Sequence, residues 1–255
     1  ADVVGIQDVS EYVSVMDTML PEQSNSDKAF LDPGFDPNIF MSETAELTVT
    51  FVHEGAGYRN SLGYFIFGEE LLGVTKGQAD KDSSGIVDID ELLQLPIHSA
   101  GMLFANTSFA GSGGSLAAGA TVDVANGDSL SPGQQVGFFL VQNGSNAKSN
   151  KVDGVTNSRR PRMFYSLDHL NPESPAAANA HNASTLESLS RHVAMLFFGE
   201  QIVLAFEDLD RITQGSDDDF NDAVFYVSAS PGAAIARTSI ATYGSEPVVV
   251  SEPAP

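Results

Sequence analysis

The sequence predicts a mainly β protein, an antiparallel β-sandwich with a few short helices. Three observations carry that expectation. Short runs rich in Val, Ile, Phe and Tyr recur along most of the chain, as strands do. Residues 46–52 (ELTVTFV) alternate apolar and polar side chains, which is the pattern of a strand with one buried face. Turn-forming glycines are plentiful, 23 in 255 residues, which suits many strands joined by many turns.

Length and charge narrow the possibilities. A chain of 255 residues can bury a sizeable core. The expected division is an N-terminal helix and loop over residues 1–45, a β-sandwich domain over 46–230, and a C-terminal extension or linker over 231–255. The 34 acids against 12 bases give a net charge of −22. Phosphate backbones therefore find no basic patch, so nucleic acid is excluded as a partner, and anionic membrane is disfavoured. The absence of Cys rules out disulfides, thiolate zinc sites and Cys nucleophiles. No apolar run approaches the roughly 20 residues of a membrane span, so no direct membrane insertion is expected. The start at Ala1 rather than Met fits a processed signal peptide or a trimmed chain, and localisation is expected to be secreted or on the cell surface of a bacterium.

Taken in order, residues 9–20 place Val9, Tyr12, Val13, Met16, Met19 and Leu20 at helical spacing before Pro21 ends the pattern. Residues 23–38 read as loop. In 46–52, Leu47, Val49 and Phe51 face one way and Thr48 and Thr50 the other. A second strand is expected over 61–67, then a cation loop over 80–91. Gly73 and Gly77 interrupt any helix before that loop, and a short helix over 90–95 is cut off at Pro96. Residues 97–142 alternate turns with apolar runs at 102–104 and 135–141. Residues 143–161 read as an exposed hairpin loop and 167–184 as a long irregular connection. A further short helix is expected over 185–191 and a strand over 193–198. The runs 202–206 and 223–227 pair as a hairpin with a long acidic loop, and residues 246–255 read as a flexible tail.

Two acidic stretches carry the chemistry. Residues 80–91, DKDSSGIVDIDE, fill every slot of an inserted EF-hand-like calcium loop. Asp80, Asp82, Ser84, Asp88 and Glu91 supply side-chain oxygens at positions 1, 3, 5, 9 and 12. Ile86 supplies a backbone carbonyl, Gly85 allows the sharp turn, and Val87 points inward. The unorthodox flanks favour a fixed structural ion over a sensor that opens. The second stretch is IVLAFEDLDRITQGSDDDFNDAVFYV, residues 202–227. An antiparallel hairpin sets Glu207 and Asp208 close to Asn221 and Asp222, with Asp217, Asp218 and Asp219 above them. Arg211 is the one cation in the segment. Most charge runs are solvated faces, but these acids are pinned between two strands. Oxygen donors with no Cys suit a hard divalent cation, Ca2+ above all.

Three stretches together resemble a family: FVHEGAGYRNSLGYFIF (residues 51–67), GSGGSLAAGATV (111–122) and AFEDLDRITQGSDDDFNDAVFYV (205–227). They look like the calcium-binding domain of unknown function found in RTX-type adhesins and other exported bacterial proteins, over roughly 46–227. The resemblance implies an extracellular β domain with calcium held by Glu207, Asp208, Asp218, Asp219, Asn221 and Asp222, and with Glu54 completing that site. The tail VVVSEPAP resembles the start of a PEP-CTERM sorting signal.

The function expected is a calcium-binding exported domain with a binding or structural role in cell-surface or extracellular-matrix attachment. Its partner would be an extracellular polysaccharide or a cell-surface component. The alternative is a calcium-dependent polysaccharide hydrolase using paired carboxylates. Against it, His53, His98, His169, His181 and His192 show no metal-binding spacing, no Gly-x-Ser-x-Gly elbow exists, and Trp is absent. No catalytic residue is expected.

Overall fold

A computed structural model describes Leu20 and residues 37–145, 162–181, 190–198 and 201–235, with the backbone alone at 196–198 and 201. Its described strands form two antiparallel five-stranded sheets. In the first, β1 (Ile39–Phe40), β6 (Gln135–Val141), β3 (Ser61–Phe67) and β4 (Ile97–Phe104) lie side by side, and β7 (Met163–Tyr165) also pairs with β6. The second runs β5 (Thr121–Asp123), β2 (Glu46–His53), β10 (Ala223–Ser230), β9 (Gln201–Phe206), β8 (Val193–Phe198). The described residues are mainly β, with a few helices of a single turn.

Strand β2 follows its alternation. Leu47, Val49 and Phe51 enter a buried apolar cluster, and Thr50 bonds the Thr121 hydroxyl of β5 at 2.8 Å. Strand β3 is buried along its whole length, which explains its continuous apolar run. Leu62, Tyr64 and Ile66 join the cluster to which β2, β9 and β10 of the other sheet contribute. Phe65 and Phe67 face a second cluster that includes Leu71, Val87, Leu92 and Leu170. The outer face of the first sheet is thus covered by α1 (Glu69–Leu72), α2 (Lys76–Ala79), α3 (Ile89–Leu92) and the 3-10 turn Asp168–Leu170.

Cross-strand pairs set the spacing inside that sheet. Gly63 lies opposite Phe139 and Gly137 opposite Phe65. A Cβ at Gly63 would come within 2.1 Å of the Phe139 ring, and one at Gly137 within 2.2 Å of the Phe65 ring. Only glycine leaves room for each ring to lie across the neighbouring strand.

The helical expectations are met in part. The helix over 90–95 is the single turn α3, started by a capping box between Asp88 and Glu91 and finished at Leu93. Gly77 does not exclude a helix: α2 contains it. Reciprocal Thr75 and Gln78 hydrogen bonds close that turn, and the Gly77 N–H donates to the Ala176 carbonyl at 2.8 Å. The described part of the long connection, residues 167–181, is more fixed than its composition predicts. Asn171 is buried and its amide ties Tyr165 to Ser190.

The expected helix over 9–20 lies outside the described residues except for Leu20, and that over 185–191 except for Ser190 and Arg191. Most of the 143–161 loop and the whole 246–255 tail lie outside them too. Among the described residues, no helix is long and apolar enough to cross a membrane.

Candidate metal centre

Phe206 at the end of β9 pairs with Ala223 at the start of β10. Glu207 therefore leaves the sheet where Asp222 enters it. The ligand atoms of Glu207, Asp208 and Asp222 lie within 4.8 Å of one another, and so do those of Glu207, Asp217 and Asp219. Glu207 is common to both groups. The Asp208 N–H donates to Asp222 Oδ2 at 2.7 Å, and Asn60 Nδ2 donates to Asp208 Oδ2 at 2.5 Å. Asn60 Oδ1 accepts the Asn143 N–H, and Gln142 Nε2 donates to the Asp208 carbonyl at 2.6 Å. These bonds hold the inner acids against the first sheet.

Glu207 is fully buried. Its Oε1 accepts the Leu209 N–H at 3.2 Å, whereas Oε2, sealed from solvent, has no hydrogen-bond partner among the described residues. The Ser216 hydroxyl donates instead to Asp218 Oδ1. Burial pushes the Glu207 carboxyl up to about 7, with the nearby His192 working against the rise. Burial likewise lifts Asp208 to about 6, opposed first by the Asn60 hydrogen bond. Asp222 is pushed up to about 10 by burial and then by the charges of Asp208 and Glu207. A cation among these oxygens would remove the repulsion.

The outer acids divide. Asp217 and Asp219 turn toward Glu207, whereas Asp218 pairs with Arg211 Nε at 2.6 Å. The Arg211 guanidinium also lies 5.1 Å over the Phe220 ring. Asp218 and Phe220 both take left-handed backbone, φ 57°, a conformation that is costly for such residues and is held here by the ion pair and by the burial of Phe220. Asp210 pairs with Arg162 and caps the turn that follows through the Ile212 and Thr213 N–H groups.

Glu54 is buried beside this centre without joining either group. Its Oε2 accepts the Phe109 N–H, and burial raises its carboxyl, with the charge of Asp208 adding to the rise. Asn221 acts as a fastener. Its carbonyl accepts the Gly55 N–H at 3.0 Å, its N–H donates to Asp219 Oδ1, and its Nδ2 reaches the Leu20 carbonyl.

In the 80–91 loop, Asp80, Asp82 and Glu91 bring ligand atoms within 4.8 Å of one another. Asp80 accepts the N–H groups of Ser84 and Gly85, the latter at φ +87°. The Ser84 hydroxyl meets the Ile86 carbonyl at 3.0 Å. Asp88 stands apart as the N-cap of α3, accepting the Glu91 N–H. Buried Lys76 donates from Nζ to the Gly85 carbonyl at 2.7 Å and ties the loop to α2.

Residues 130–230 match a family model described as a domain of unknown function (DUF4114). The matched residues cover the C-terminal part of the 46–227 stretch and include the whole acidic hairpin. The 80–91 loop, Glu54 and Asn60 fall outside the matched residues. No curated protein and no solved structure matches the chain.

Of the three consecutive acids expected above the hairpin ends, Asp217 and Asp219 converge and Asp218 does not. Three residues at this centre escape the sequence, and one of them, Asn60, supports Asp208. Glu173 and His192 form a buried pair behind Glu207, with Nε2 to Oε1 at 3.0 Å and the His192 Nδ1 3.0 Å from the Glu207 carbonyl oxygen. Of these, Asn60 carries the clearest signal, because it lies within FVHEGAGYRNSLGYFIF, one of the three stretches that carry the resemblance. Glu173 and His192 carry none, since spacing in sequence does not foretell their meeting.

Proposed function

We propose that this is a calcium-binding exported domain with a binding or structural role in cell-surface or extracellular-matrix attachment. The observation that carries the reading is Glu207 Oε2, a buried carboxylate oxygen without a hydrogen-bond partner, set where other acids converge. A buried acceptor of this kind is destabilising unless a ligand completes it. The donors are oxygens alone, which favours Ca2+ over softer ions. The convergence of Asp80, Asp82 and Glu91 supports a second calcium in an EF-hand-like loop. The two sheets are read as an antiparallel β-sandwich around their shared apolar cluster. Export, the adhesin kinship, the sorting-signal tail and a polysaccharide or cell-surface partner belong to the same proposal.

The hydrolase alternative is the weaker. A carboxyl near 7 suits a general acid, but such a group must touch the glycosidic oxygen and Glu207 is fully buried. Calorimetric titration of the chelator-treated protein tests the proposal. Calcium uptake with little response to magnesium is expected, and no uptake would reject it. A glycan array with and without calcium, beside a polysaccharide hydrolysis screen, separates binding from catalysis.

A further inference from the structure

Resting on the cation reading above and taking it further, we propose that the hairpin holds two divalent cations bridged by Glu207. One would be shared with Asp208 and Asp222, the other with Asp217 and Asp219. Glu207 is the member common to the two groups, each drawn within 4.8 Å. Its Oε2 is the independent sign of a missing ligand, because it is sealed from solvent and accepts no hydrogen bond among the described residues, the nearby Ser216 hydroxyl donating to Asp218.

Charge points the same way. Five carboxylates converge, and among the described residues Arg211 is engaged with Asp218 and Arg162 with Asp210. One divalent ion would leave three negative charges uncompensated in a largely buried site, whereas two would leave one. The ions differ in access. The inner one, beside Asp208, lies behind Asn60 and Gln142, while the outer one reaches solvent at exposed Asp217. The outer ion exchanges faster and binds more weakly.

Native mass spectrometry of the full chain, stripped with chelator and titrated with calcium, counts the ions. Asp217→Asn changes an exposed side chain and is expected to remove one ion. The near-isosteric Glu207→Gln is expected to remove two. Circular dichroism confirms that each variant folds, and Asp217→Asn decides alone if Glu207→Gln does not. An Asp217→Asn protein that binds as many ions as the parent, with the same affinities, overturns the bridged pair. If that protein still loses an ion when Glu207 is replaced, the single-cation reading stands. A parent chain that binds no calcium at the hairpin overturns both.

Discussion

Asp222 shows how one side chain can register whether an ion is present. Its Oδ2 accepts the Asp208 N–H, and burial with two neighbouring acids pushes its carboxyl to about 10. In metal-free protein at neutral pH it therefore carries a proton, and Asn is a close mimic. Asp222→Asn is expected to melt within about 4 °C of the metal-free parent, the most that roughly 0.5–1 kcal/mol produces at this size. The same variant should lose much of the melting-temperature rise that calcium gives the parent. A large drop in the metal-free melt would mean that Asp222 is ionised there. Asn60 tests the support behind Asp208. Asn60→Ala removes one donor and one acceptor from a buried position and should cost about 1–3 kcal/mol. Asn60→Asp, of the same shape, should cost more in metal-free protein by setting a charge against Asp208. Urea midpoints rank the two.

At the scale of elements, the first sheet depends on its paired glycines and rings. Gly63→Ala would drive a methyl group into the Phe139 ring, and overpacking of this kind costs about 1–3 kcal/mol. Phe139→Leu in the same chain should recover part of the loss, so the double-mutant cycle gives a coupling energy well away from zero. Additive effects would show that the ring moves aside freely. The strands were largely legible, since 46–52, 61–67, 193–198, 202–206 and 223–227 all fall within observed strands. The one-turn helices α1 and α2 were not. Four residues carry no helical period, and Gly77 argues locally against a turn that Thr75, Gln78 and the Ala176 carbonyl sustain.

For the molecule as a whole, the ion and the proton compete. Glu207 and Asp208 are raised in the metal-free fold to about 7 and about 6, from 4.5 and 3.8. The folded chain then holds protons that the unfolded chain releases. Their contribution is full below about pH 4 and is lost as pH rises through about 6–7. Metal-free protein should melt lower at pH 8 than at pH 5, as far as these two groups decide it. Saturating calcium should reverse that slope, because the ion displaces the protons and binds better as pH rises. Melting curves across this range, with and without chelator, check both signs. At neutral pH, an ion present at a hundred times its dissociation constant adds about 2.7 kcal/mol. Chelation should therefore lower the melting temperature by roughly 5–10 °C per such site in a protein of this size.

What the sequence by itself determined was the β class, most strand positions and the two acidic stretches. Each of these is written locally, as an alternation, a turn or a ligand spacing. It also placed Glu207 beside Asp222, because a hairpin fixes which ends meet. Only the tertiary structure decided which acids converge. Asp217, Asp218 and Asp219 are consecutive and alike in sequence, yet Asp218 turns away because Arg211, stacked on Phe220, reaches it. Glu173, His192 and Asn60 come to the hairpin from other elements, and their arrival depends on how those elements pack. The unpartnered Glu207 oxygen, from which the function is argued, is likewise a product of burial. A sequence shows that a carboxylate is present, whereas the fold decides whether water can reach it.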